Sequence, residues 1–137
     1  MKIKSVRYSV AKKRATSAFQ LYVRVRDSDA QGYGRCCTCK KRVHYKEADG
    51  GHFISRSVES VVFDERNCHL QCKGCNNWRR GAHHVYRNFL VDTYGEEAVK
   101  KLEFGARLVC KRSVSDLLYL EKFYKQQTRI FLLARSI

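Results

Sequence analysis

In the stretch ATSAFQLYVRVRDSD, Phe19, Tyr22 and Val23 recur at helical spacing behind the basic run Lys12, Lys13, Arg14, and they predict a helix over residues 13–27. Apolar positions then shorten to strand-sized runs at 43–46, 53–54 and 58–63. From Cys75 the helical period returns through Trp78, Val85, Tyr86, Phe89 and Leu90, with a break at Gly81. Gly95-Glu96-Glu97 opens a short helix over 98–103, its acids at the positive end, and Gly105 closes it. Ser113 and Asp116 form a capping box, Asp standing in for the usual Glu or Gln, and start a last helix over 114–134. Its apolar positions, among them Leu117, Phe123, Tyr124, Ile130 and Leu133, wrap beyond the single stripe of a surface helix. One side is expected to lie along the first helix near Phe19 and Tyr22, and the rest, over 117–133, to pair with a second copy.

Helix, short strands, then helices predict an α+β fold. It forms one domain with a basic N-terminal helix (1–30), a central core (31–91) and C-terminal helices (92–137). Turns rely on glycine, because no proline occurs. No apolar run reaches the roughly 18 residues of a membrane span, and the start, MKIKSVRYSV, lacks the apolar region of a signal peptide. A cytoplasmic protein is expected.

Charge narrows the partner. The chain carries 28 Lys plus Arg against 13 Asp plus Glu, a formal +15, and residues 1–26 hold eight bases and no acid. Such a field points to a polyanion, with Lys12, Lys13 and Arg14 neutralising backbone phosphates without reading sequence. Solvated helix faces account equally well for any one of these bases, and charge alone does not separate nucleic acid from anionic membrane.

Seven cysteines might suggest disulfides, but the number is odd and two pairs have metal-knuckle spacing. Cys36-x-x-Cys39 and Cys72-x-x-Cys75, separated by residues 40–71, predict one four-thiolate zinc site. A closed sulfur site has no open position for substrate, so the zinc is structural. Cys37, Cys68 and Cys110 are expected to be small buried residues.

Catalytic chemistry falls to the segment between and just after the knuckles. Phosphodiester hydrolysis needs a base for water and a cation for the charge that develops on phosphate. His52 follows two glycines that would let a phosphate approach. Asn67 is expected on the strand pairing with that of His52, where it would hold the histidine's orientation, and Asn76 opens the helix after the last zinc ligand. Arg56, Lys73, Arg79 and Arg80 are expected phosphate contacts around the cleft.

The order His52, Asn67, Cys72-x-x-Cys75, Asn76 is similar to that of zinc-knuckle His-Asn-His (ββα-metal) endonucleases. CCTCKKR, DGGHFISRS, FDERNCHLQCKGCNN and YRNFLVDTYGEEAVKKLE resemble the phage NinG/Rap recombination family. The resemblance implies a treble-clef-like, zinc-stapled ββα-metal core flanked by helices. It implies an endonuclease, phage- or prophage-encoded and acting in the bacterial cell, that cuts Holliday junctions and D-loops with Mg²⁺ or Mn²⁺. Recombination proteins are its expected partners. By position, His52 is the general base, Asn67 the orienting residue and Asn76 a metal ligand. Gly51 stands where such nucleases often place a ligand, so Asp49 and then His69 are the next candidates, followed by His83 and His84. The alternative is a non-catalytic zinc-knuckle DNA-binding accessory protein, which would not require His52.

Overall fold

The computed structural model describes residues 5–78 and 82–136. Helix α1 (Tyr8–Arg26) begins more than a turn before the expected start. The apolar stripe there continues through Ala11 and Ala15, both fully buried, and these small side chains carry little hydrophobic signal in the sequence. Helix α4 (Val114–Arg135) opens on the expected capping box: the Ser113 hydroxyl accepts from the Asp116 amide and the Asp116 carboxylate from the Ser113 amide.

These two helices run parallel. Arg14 meets Glu121, Phe19 and Tyr22 meet Tyr124, Tyr22 meets Phe131, and Arg135 donates to Ser28 and to the Val25 carbonyl. Edge-on aromatic pairs, Phe19–Tyr124 at 4.9 Å and Phe19–Phe63 at 5.7 Å between ring centres, fill the seam. The opposite side of α4 leaves Tyr119, Ile130 and Leu133 exposed.

Between the helices lie two antiparallel hairpins. β1 (Tyr33–Arg35) pairs with β2 (Arg42–His44), and β3 (Ala48–His52) with β4 (Cys68–Cys72) in the register His52 to Cys68 and Gly51 to His69. The two glycines before His52 also sit where packing leaves little room for a side chain. A Cβ on Gly50 would lie 3.0 Å from the Gln20 backbone of α1, and one on Gly51 would lie 2.0 Å from the Gln71 amide oxygen.

The apolar run 58–63 is not a strand but part of the loop joining β3 to β4. Its residues serve two cores. Val62 and Phe63 enter the α1–α4 core, with Phe19, Cys68 and Leu117. Val61 enters a second core, with Phe53, Tyr86, Leu90, Val99 and Leu102 from the loop, α2 (His83–Tyr94) and α3 (Glu96–Gly105). A short continuous apolar run cannot be told from a strand by periodicity.

The helical run expected from Cys75 to Leu90, with its break at Gly81, is described as two pieces. One wide turn covers Gly74–Trp78, and Ala82, at φ +47°, caps α2 in the left-handed region, so the helical path restarts there. Gly81 lies outside the described residues. No helix among the described residues is long and apolar enough to cross a membrane.

Candidate metal centre and cationic cleft

The β1–β2 turn carries Cys36 and Cys39, and the end of β4 with the following turn carries Cys72 and Cys75. Their four sulfurs lie within 4.8 Å of one another. The first knuckle is set by Cys36 N–H donating to Lys41 O and Lys40 N–H to Cys36 O. The second is set by Cys75 N–H donating to Cys72 Sγ at 3.5 Å. Burial pushes the Cys36 thiol up, but the Thr38 hydroxyl and nearby backbone amides outweigh it and hold its pKa down to about 6. Burial and the neighbouring sulfurs push the Cys72 thiol up to about 12. The cluster thus tolerates few negative charges by itself, and a soft dication allows all four sulfurs to ionise. An all-sulfur, four-membered donor set fits a structural zinc ion.

Beside this centre opens a cleft of about 660 Å³ lined by Gln20 and Arg24 of α1, Lys46, Asp49 and His52, Ser55 and Arg56, and Lys73, Asn76 and Asn77. Four cations line it against one carboxylate, so the cleft is built for an anion. Arg24, largely buried, donates to the Tyr45 carbonyl at 2.8 Å. The sequence gives no sign of Gln20, Arg24 and Lys46 as cleft residues. Gln20 and Arg24 are four apart on one polar helix face, but which face meets the cleft follows only from packing on β3.

His52 is half-buried, and its Nε2 lies 2.9 Å from the Val62 carbonyl. A carbonyl only accepts, so Nε2 carries the proton and Nδ1 keeps the lone pair of the neutral ring. Burial lowers the His52 pKa; the bond to Val62 works against this and the positive charges of Arg56 and Lys12 reinforce it. Cys68 Sγ lies 3.9 Å from Nδ1, and burial pushes its thiol well up, so it stays a protonated core residue and not a nucleophile.

Asn67 has no exposed surface. Its amide accepts from Ile54 N–H at 2.8 Å and donates to the carbonyls of Ile54 and Val61. Its hold on His52 is therefore indirect, through the loop that presents the Val62 carbonyl. Asp49 accepts from Lys73 Nζ at 2.9 Å on one oxygen and from Asn76 Nδ2 at 3.0 Å on the other. Burial raises the Asp49 pKa, but these two bonds outweigh it and hold the carboxyl below its ordinary value.

His69 does not join this group. Paired with Gly51, it points to the face opposite His52, and its nitrogens meet Tyr86 Oη at 3.3 Å and Tyr94 Oη at 2.8 Å. Although His69 lies two residues after Asn67, the two do not share a strand face, because Asn67 belongs to a 3-10 turn, Glu65–Asn67, before β4 begins. His83 stacks on Phe53 and His84 is exposed; neither lines the cleft.

The basic run of α1 also divides. Lys12 pairs with Glu59, Arg14 with Glu121, and Lys13 is exposed between them. Arg56 and Lys73 line the cleft, whereas Arg79 and Arg80 lie outside the described residues.

A four-cysteine site beside a histidine-bearing cationic cleft, on a small hairpin framed by helices, defines an α+β protein of the cysteine-knuckle class. Within it the chain belongs to the NinG family, matching the family described as Bacteriophage Lambda NinG protein over residues 1–132. It is 33% identical over 92 residues to Protein ninG of Escherichia phage lambda, 34% to that of Escherichia phage 933W and 33% to that of Salmonella phage P22. Each match covers 66% of this chain and 43% of the relative, so the chain spans less than half the length of these proteins. No solved structure matches it significantly.

Elemental analysis of folded protein is expected to find one zinc per chain. Chelation or Cys72→Ala should unfold the central hairpins, since binding at such sites supplies on the order of 10 kcal/mol of folding free energy; folded, metal-free protein would contradict this. Buried His69 and half-buried His52 set a pH dependence. His69 is pushed down to about 4, by burial first, and His52 also lies below the ordinary 6.5. The unfolded chain then binds protons first as pH falls, so stability is complete above about 6.5 and is lost towards 4. NMR titration should place both midpoints below 6.5; a His69 midpoint at or above that value would refute its burial as a neutral ring.

Proposed function

We propose that this protein is a divalent-metal-dependent DNA endonuclease that cuts branched recombination intermediates, Holliday junctions and D-loops, in the cytoplasm of the bacterial host. The observation that carries this is the fixed tautomer of His52. With Nε2–H committed to the Val62 carbonyl and burial lowering its pKa, the ring is a neutral base at a cationic cleft. Nδ1, once it gives up its long contact with the Cys68 thiol, takes a proton from water as the water oxygen bonds to phosphorus, and the opposite P–O bond breaks with its electron pair leaving on the sugar oxygen. Arg56 lines the same cleft and supplies charge to the phosphate.

Asp49 and the Asn76 amide oxygen are the hard donors that would hold Mg²⁺ or Mn²⁺. Such an ion, when bound, neutralises charge on the phosphate and leaving oxygen. A second function, a non-catalytic DNA-binding accessory protein, is favoured by one specific observation: Lys73 already neutralises Asp49.

The two are separated by nicking of a four-way junction with Mg²⁺ or Mn²⁺. His52→Ala is expected to lower the rate by at least about 10²–10⁴-fold with junction affinity nearly intact, and Lys13→Glu to weaken binding and flatten its salt dependence. Nicking by His52→Ala at the wild-type rate, or none by the wild type, would refute the endonuclease. The exposed side of α4 supports a dimer through Tyr119, Ile130 and Leu133. Sedimentation at micromolar concentration should find two copies, and a monomer both free and on junction DNA would rule the dimer out.

A further inference from the structure

We infer that α1 is a ridge between two phosphate-binding grooves, and that the second, between α1 and α4, takes a second duplex arm of a branched DNA. This rests on the DNA-directed function proposed above and adds where branch preference arises. The first groove is the cleft itself, which continues past Gln20 and Arg56 along α1 to Lys12 and Lys13. The second lies on the other side of the helix, walled by Lys13 and Arg14 of α1 and by Lys125 of α4, and runs on along α4 past Lys122 to Arg129.

Lys13 and Ser17 line both grooves. They are four residues apart on one helix face, so they form the crest. At about 100° of rotation per residue, Lys12, Thr16 and Gln20 on one side face more than about 100° away from Arg14 and Leu21 on the other.

The charge of the second groove matches a phosphate backbone. Its one acid is Glu121, which Arg14 and Lys125 already hold at 2.9 Å each. Lys13, Lys122 and Arg129 are exposed and make no ion pair among the described residues. Lys122, Lys125 and Arg129 recur at helical spacing, which places three cations along one edge of α4.

Duplex stiffness then decides the occupant. DNA has a persistence length of about 50 nm, whereas an α-helix with its side chains is only about 10–12 Å across. One duplex lying in the cleft groove therefore cannot turn round α1 into the other. Two arms meeting at a branch supply two helical segments at an angle, one for each side of the ridge.

The test is direct binding by this 137-residue chain carrying K122Q, K125Q and R129Q. Fluorescence anisotropy is measured over a range of salt on a four-way junction, a linear duplex of equal length and a single strand. Junction affinity is expected to fall at least tenfold near 0.1 M salt. The slope of log K against log salt should flatten by about two to three, while duplex affinity stays within twofold of wild type. Equal loss on junction and duplex would make the groove a general DNA face and overturn the inference. So would no loss on either, or a loss confined to the single strand. Wild-type protein that binds none of the three DNAs would instead remove the DNA-directed function on which the inference rests.

Discussion

Asn67 is the polar anchor of the segment between β3 and β4. It is fully buried, and its amide bonds the Ile54 backbone twice and the Val61 carbonyl once, while its own carbonyl accepts from Phe53 N–H. Those bonds close the long loop between β3 and β4. With the loop closed, Val62 and Phe63 reach the α1–α4 core, Val61 reaches the α2–α3 core, and the Val62 carbonyl meets His52 Nε2. An unpartnered amide at this depth would cost several kcal/mol. The same side chain therefore anchors a loop whose residues enter both cores and whose Val62 carbonyl meets His52.

The core on each face of the β3–β4 hairpin is small, and the β1–β2 hairpin has none of its own: its strands are exposed or half-buried throughout. Cys37 N–H donating to Leu70 O and Arg24 donating to the Tyr45 carbonyl orient it, and the four sulfurs tie it to the end of β4. A metal centre suits such a place, where coordination replaces missing apolar burial. The turn after β4 that holds Cys75 also carries Lys73 and Asn76, which the pairing of β3 with β4 sets beside Asp49.

Acidic side chains are spent on structure, and that shapes the surface potential. Glu59 holds Lys12 and Arg112, Glu121 holds Arg14 and Lys125, Glu65 accepts from Tyr22 and Arg26, and Arg87 bridges Glu96 and Glu103. Among the described residues, the bases left without an ion pair include Arg24, Lys46 and Arg56 at the cleft and Lys13, Lys122 and Arg129 beside α1, and they carry much of the formal +15.

Local rules account for what was legible in the sequence. The knuckle spacing names the four sulfurs that converge, Ser113 and Asp116 mark the start of α4, and the motif order around His52 and Asn67 leads to the NinG family. Each depends on residues a few positions apart or on a pattern of residue types. What remained hidden depends on contacts between distant segments. The run 58–63 has the composition of a strand, yet Asn67 and two separate cores hold it as a loop. The close packing of Gly50 on Gln20 and of Gly51 on Gln71 has no sign in the sequence. His69 shares a motif with His52 but is turned away by strand register, to be capped by two tyrosines. Lys12, Lys13 and Arg14 read as one basic patch, and the rotation of a helix sends them to three different surroundings. Residue types and spacing determined which chemistry the chain carries; tertiary packing decided which groups face one another, because side-chain direction is set by register and helix phase across segments that are not neighbours in the chain.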